Sequence, residues 1–243
     1  MPRNNVISKL LSSTPQLWKG HRPNHAQRTL PTGHARLDAH LPGGGWPLGA
    51  VTELISARPG LGEFSLLLPT LSNMSKQDQW IIMIDPPWIP YPASLHGHGL
   101  LLEQLLLVRT HKEKESLWAC EQALSSGRGG AVLAWPERIS FTRLRRLQLA
   151  AEGNGKVAFL FRPENVLDTA SPAALRLQLE ADGSHGTRIN VLKCRGSRPL
   201  EPAWIPRPYA QAHTLHMPNP QAPGAIVQAT TGNIQLPVST TIN

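Results

Sequence analysis

An α/β fold, with a parallel sheet flanked by helices and a β-hairpin at its edge, is predicted by three features of this 243-residue sequence. Short apolar runs at 80–84, 105–108, 131–135 and 156–161 have the composition of strands buried on both faces. Helical patterns at 63–74, 98–104, 114–125 and 140–152 fill the gaps, the alternation that builds a parallel sheet. A short helix (35–40), a glycine turn (43–45), a strand (50–55), a Pro/Gly loop and a helix opening near Gly62 then follow the layout of a phosphate-binding strand-loop-helix.

In chain order, residues 5–12 place Val6, Ile7, Leu10 and Leu11 at helical spacing, and Pro15 ends the pattern. A short helix with one apolar stripe needs a surface, either its own core or a neighbouring protomer. Residues 16–27 are polar and basic and suit a linker. In the core, the helix from Lys114 puts Leu117, Cys120 and Leu124 on one face, with Gly127 as its C-terminal cap. Ser140 caps the next helix, whose buried stripe is Phe141, Leu144, Leu147 and Ala151. Beyond Pro172 two alternating runs, 175–181 and 187–193, read as a β-hairpin. From Pro199 onward prolines interrupt every element, and 199–243 reads as a Pro-rich, largely disordered tail with one sticky spot, Trp204, Ile205, Arg207 and Tyr209, either a strap on the core or a partner-binding segment. The expected organisation is 1–27 N-terminal helix and linker, 28–198 core with a degenerate nucleotide site, and 199–243 tail.

A net charge of +8 and a pI near 10.1 favour acidic partners. Two cysteines supply neither a disulfide framework nor a metal quartet. The first eleven residues carry Lys9 within a short apolar run, without a small-residue cleavage site, and no apolar stretch reaches the length of a membrane span. The expected location is the cytoplasm, with no membrane contact.

The nucleotide loop has lost its chemistry. The motif asks for Gly, four residues, Gly, Lys and Ser or Thr; this chain supplies Ala57, residues 58–61 including Gly60, then Gly62, Glu63 and Phe64. Two unit charges about 4 Å apart interact by roughly 4 kcal/mol at an effective dielectric near 20, so a carboxylate where the Lys belongs opposes a triphosphate. In the first turn of a helix the same carboxylate complements the dipole.

Pro31-Thr32-Gly33, Leu37-Asp38, the Gly43-Gly44-Gly45 turn with Pro47-Leu48-Gly49, and Thr52-Glu53-Leu54 resemble the opening of the RecA core. The Trp18-Lys19-Gly20 lead, the Pro-Gly-Gly-Gly-Trp-Pro turn, the prolines from Pro86 to Pro92 and the Leu192-Lys193-Cys194-Arg195-Gly196 end resemble more closely ImuA, the RecA-like accessory family of mutagenic translesion synthesis. The resemblance implies a RecA-like fold and places Pro87 at the catalytic Glu position. Strand 131–134 closes with Trp135-Pro136 where a magnesium-binding Asp is required. Lys, magnesium Asp and base are all replaced, so the reading is not an enzyme, with no cofactor and no metal. Asp85 alone makes no active site, and His96 and His98 lack a third ligand.

The partner-binding candidates are Trp88 and Tyr91, held among prolines as a contact surface or as a lid over the vacant site; Arg143, Arg145 and Arg146 on the exposed side of their helix; and Trp204. The ImuA resemblance implies a non-catalytic adaptor in SOS-induced DNA repair and translesion synthesis. Its partners would be ImuB and an error-prone DNA polymerase, with RecA and self-association as further contacts and DNA reached indirectly. The alternative is a SulA-like cell-division inhibitor that binds FtsZ. Leu66-Leu67-Leu68-Pro69, residues 130–135 and the stretch from Glu152-Gly153-Asn154 to Phe161-Arg162-Pro163 resemble the SulA core, whereas the 30–53 opening and the 192–195 close do not. A third reading, an independent DNA-binding module using the arginines, meets a segment at 163–175 that is short where RecA carries a long DNA-binding loop.

Overall fold

The computed structural model describes residues 28–58, 62–110, 112–126, 129–182, 186–195, 202–206 and 225–228. The N-terminal stretch 5–12, Gly60, Gly127 and Tyr209 lie outside them. A two-residue strand, β1 (Thr29–Leu30), pairs antiparallel with β2 (Trp46–Pro47), and helix α1 (Ala35–His40) lies between them. The core follows as β3 (Ala50–Ser56), α2 (Glu63–Ser75), β4 (Trp80–Ile84), α3 (Pro92–Gly97), β5 (Leu105–Arg109), α4 (Glu113–Ser125), β6 (Gly129–Ala134), α5 (Phe141–Asn154) and β7 (Val157–Pro163). The chain then adds β8 (Leu175–Asp182), β9 (Gly186–Cys194), β10 (Ala203–Pro206) and β11 (Ala225–Gln228). The sheet order is β10-β9-β8-β3-β7-β6-β4-β5-β11. Every neighbouring pair along β8-β3-β7-β6-β4-β5-β11 is parallel, and β8-β9 and β9-β10 are antiparallel.

Two apolar layers follow from this winding. Leu66, Leu67, Leu71 and Met74 of α2, with Leu95 of α3, pack on one face; Leu117, Cys120 and Leu124 of α4, with Leu144, Leu147 and Ala151 of α5, pack on the other. All seven residues of β3 are buried because it sits between β7 and β8. Its first amides need a side-chain partner: Gln148, fully buried on α5, accepts from Val51 N at 3.0 Å and donates to Glu152 Oε1 at 3.0 Å.

The opening is tied down by polar contacts. Thr32 N donates to Asp38 Oδ1 (2.9 Å), Trp46 Nε1 donates to Thr70 Oγ1 (3.0 Å), and Thr70 Oγ1 donates to Pro31 O (2.9 Å). Trp46 is fully buried and meets Phe159 edge-on at 5.3 Å. Gly33, at φ +81°, admits Pro69 where a Cβ would stand 2.3 Å from that ring. Lys156 reaches the end of α4, donating to Ala123 O (2.9 Å), and burial lowers its pKa from the usual lysine value.

Four sequence expectations change. The helix expected at 98–104 is α3 at Pro92–Gly97 followed by a 3-10 turn at Leu102–Gln104, because Pro92 suits the first helical turn and Gly99, at φ +81°, breaks the chain between them. Phe141, assigned to the buried stripe, is 55% exposed because the first turn of α5 overhangs the core. Strand β6 stops at Ala134, one residue before Trp135. Finally, the reading of 199–243 as a disordered tail fails at Ala203–Pro206, which pairs with β9 as β10. Pro202 lies just before that strand and Pro206 is its last residue, positions an edge strand tolerates.

Ala203 and Ile205 are buried in the core, and the Trp204 ring covers Gly186, where a Cβ would lie 2.3 Å from the indole. Truncation after Arg198 is therefore expected to lower the thermal midpoint by more than about 4 °C, since roughly 1 kcal/mol shifts a domain of this size by about 2 to 4 °C. An unchanged midpoint by differential scanning calorimetry would show that β10 adds nothing.

Candidate functional site

The functional end of a doubly wound sheet lies outside the carboxyl ends of its strands, where neighbouring connections leave toward opposite faces. Here that point is between β3, whose loop leads to α2, and β7, whose neighbours α4 and α5 occupy the other face. A cavity of about 350 Å³ lies there, lined by Ser56, Glu63, Pro87, Trp135, Phe161 and Arg138 among others. The residues singled out by the degenerate nucleotide motif are brought together in it.

Each does something other than hold phosphate. Gly62 caps α2 in the left-handed conformation, φ +98°, and Glu63 is the buried first residue of the helix. Trp135 stacks on Phe161 with ring centroids 4.4 Å apart and planes within 3°. Phe161 is buried and Trp135 half-buried, and the pair forms part of the cavity wall. Asp85, at φ 47°, is engaged by its neighbour: Thr110 donates from N (2.7 Å) and Oγ1 (2.6 Å) to its two oxygens. The pair joins the ends of β4 and β5. Among the described residues no group of His, Cys, Asp and Glu could hold a metal ion.

Beneath the cavity lies an arrangement that sequence reasoning missed. Glu53 of β3, 2% exposed, sits between Arg162 of β7 (Nε to Oε1, 3.5 Å) and Arg176 of β8 (Nε to Oε2, 2.9 Å). Register explains it: Arg176 is directly opposite Glu53, and Arg162 is opposite Ile55, two residues along. Arg176 also donates to Val166 O (2.6 Å) and Thr169 O (3.0 Å), and Arg162 donates to Pro136 O. One buried carboxylate thus holds the guanidinium groups that fix both loops bordering the cleft. Burial lowers the pKa of Arg162 from its ordinary value, and Glu53 opposes that shift. The signal was available, since an Arg ending an apolar run, an Arg within Leu175-Arg176-Leu177 and a Glu in a central strand are buried charges needing partners.

The partner-binding candidates divide. Trp88, Ile89 and Tyr91 are 65%, 70% and 63% exposed on the loop that follows β4 and Pro87; Pro87 lines the cavity, and the three side chains after it do not. Arg143, Arg145 and Arg146 are exposed on α5, as expected. Arg146 has an acidic partner on the neighbouring helix, Glu121 of α4 at 2.7 Å. Arg143 lines a groove of about 710 Å³ between the starts of α4 and α5, with Phe141 and Arg138. Trp204 is half-buried under the Arg36 guanidinium, 5.6 Å from its ring centroid, and packs within its own fold. Cys120 is buried, its thiol pushed up to about 12, and burial raises Cys194 to about 11, so neither is a reactive thiolate at neutral pH.

With Glu63 opening α2 and the stacked rings of Trp135 and Phe161 in the cavity wall, the protein is expected to leave ATP unbound. Calorimetry at millimolar ATP with magnesium should show no saturable heat, and micromolar affinity would overturn that expectation.

Fold and site together define a doubly wound α/β protein with a cavity at the carboxyl ends of its central strands. Residues 49–158 match the family model of the cell division inhibitor SulA. The chain is 28% identical to the cell division inhibitor SulA of Yersinia pseudotuberculosis (strain IP 31758) over 167 residues, 68% of this chain and 96% of that protein. It is 28% identical to that of Yersinia enterocolitica over 131 residues, 53% and 78% of the two chains, and 27% identical to that of Yersinia pestis (strain Pestoides F) over 167 residues. Among the described residues no helix is long and apolar enough to cross a membrane.

Proposed function

We propose that this chain works by protein contact, as a non-catalytic, SulA-like inhibitor of cell division in the SOS response to DNA damage, with FtsZ as its target. What supports the reading most is similarity to SulA across 49–158 on a chain whose carboxyl-end cavity is lined by Glu63 and by Trp135 stacked on Phe161. Trp88, Ile89 and Tyr91, on the loop that follows Pro87, are each about two-thirds exposed. An exposed aromatic loop of this kind is suited to a protein surface.

A second reading is favoured by the ordered opening. Residues 28–48, fastened through Thr70 and Trp46, and β9 and β10 lie outside the 49–158 stretch that matches the SulA family model, and these segments include motifs that resemble ImuA. On that reading the protein is an adaptor for ImuB and an error-prone polymerase, with RecA as a further contact. Affinity capture with purified FtsZ, ImuB and RecA separates the two. Retention of FtsZ, with cell elongation when the chain is overproduced, supports the inhibitor. Retention of ImuB without FtsZ, at unchanged cell length, supports the adaptor and overturns the first reading.

A further inference from the structure

We propose, building on the protein-contact reading, that Asp85 is a positioning residue. Thr110 and Arg109 hold it in a left-handed conformation, and residues 86–91 thereby form a fixed arch that presents Trp88, Ile89 and Tyr91 to an apolar cleft on a partner protein.

Among the described residues two that are not glycine have positive φ, Asp78 and Asp85. Asp78 lies in the turn that closes α2, where Gln79 N donates back to Met74 O (3.1 Å) and such a conformation is ordinary. Asp85, at φ 47°, has no helix to close. It follows the last residue of β4 and precedes Pro86, and the residue before a proline favours extended backbone. A left-handed side-chain-bearing residue at that point is disfavoured twice, and it persists only where its surroundings over-determine it.

The surroundings do so. Asp85 N donates to Val108 O (3.0 Å), and its carboxylate oxygens accept from Thr110 N (2.7 Å) and Thr110 Oγ1 (2.6 Å). Arg109 Nη1 donates to the carbonyl oxygen of Pro86, itself a buried residue. At the far end of the arch Tyr91 O accepts from Ser94 N (3.1 Å) and Leu95 N (3.2 Å), and Leu95 is buried in the core. Between these anchors Pro86, Pro87 and Pro90 fix their own φ angles. Six residues pinned at both ends and stiffened by three prolines have little freedom left to lose on binding, which favours affinity. The arch carries no charged side chain, so the surface that complements it is apolar.

Three variants of the full-length chain test this. Asp85→Ala removes both the carboxylate and the tolerance of positive φ, Asp85→Gly removes the carboxylate alone, and Thr110→Val removes the hydroxyl donor while keeping the N–H. Amide order parameters of Trp88, Ile89 and Tyr91 from nitrogen-15 relaxation are expected near about 0.85 in wild type and below about 0.6 in both Asp85 variants, with Thr110→Val between. Association with FtsZ, or with ImuB where capture retains it, should slow by at least about tenfold in the Asp85 variants while dissociation stays within about twofold, because fewer molecules hold the binding-competent shape. Thr110→Val leaves the strand end untouched and decides the matter where Asp85→Ala does not fold: wild-type order parameters and association rate in it would overturn the proposal. Asp85→Gly behaving as wild type would show that the left-handed turn alone shapes the arch and would overturn the role of the carboxylate. A wild-type chain that binds neither FtsZ nor ImuB overturns the contact reading by itself, and the order parameters then decide separately whether Asp85 fixes the arch.

Discussion

Replacing Glu53 with Ala is expected to destabilise the protein by about 3–5 kcal/mol, the largest effect of any single substitution in this core. The carboxylate is the only acid between two buried guanidinium groups, and its removal leaves Arg162 and Arg176 with like charges facing each other across β3. At about 2 to 4 °C per kcal/mol the thermal midpoint should fall by about 6 to 20 °C. Glu53→Gln keeps the volume and should lose nearly as much, which separates the charge from the packing. A triple variant, Glu53→Met/Arg162→Met/Arg176→Leu, is expected to recover much of the midpoint, because apolar residues of similar volume often replace a buried ion cluster without loss. Its loops at 136 and 166–169 should nevertheless exchange amide hydrogens faster, since the guanidinium donors that hold Pro136 O, Val166 O and Thr169 O are gone. If Glu53→Ala melts within a few degrees of wild type, the triad is not what holds the cleft.

The same triad marks the limit of what sequence pattern conveys. Strands and helices from β3 to β9 were legible wherever periodicity and length agreed, as in α2, α4 and β4, because a buried parallel strand and an amphipathic helix have distinct local signatures. Register was not. That Arg176 meets Glu53 directly and Arg162 meets it diagonally depends on the pairing of three strands far apart in the chain. Strand β10 escaped for a related reason: a four-residue stretch that follows one proline and ends in another has no period, and the edge of β9 makes it a strand. The stacking of Trp135 on Phe161 likewise comes from adjacent strand ends, and no motif at Trp135 announces it.

The aromatic pair Trp88 and Tyr91 is expected to carry most of the partner affinity. Truncating both to Ala should weaken binding to whichever protein the capture experiment retains by at least about 30-fold, the equivalent of about 2 kcal/mol, because large aromatic anchors dominate protein interfaces. Both side chains are mainly exposed and outside the core, so the thermal midpoint should stay within about 2 °C of wild type. The arginines of α5 provide the contrast. Arg143 and Arg145 carry exposed charge, and Arg146 is already paired with Glu121, so Arg143→Glu/Arg145→Glu should act mainly on association rate and its salt dependence. Stopped-flow binding at two ionic strengths distinguishes the contributions. Loss at the aromatic pair should appear in dissociation and persist in high salt, and loss at the arginines should appear in association and fade with salt. An aromatic double variant that binds FtsZ or ImuB as wild type does would move the interface off the carboxyl edge of the sheet, leaving the α4–α5 groove with Phe141 and Arg143 as its next location.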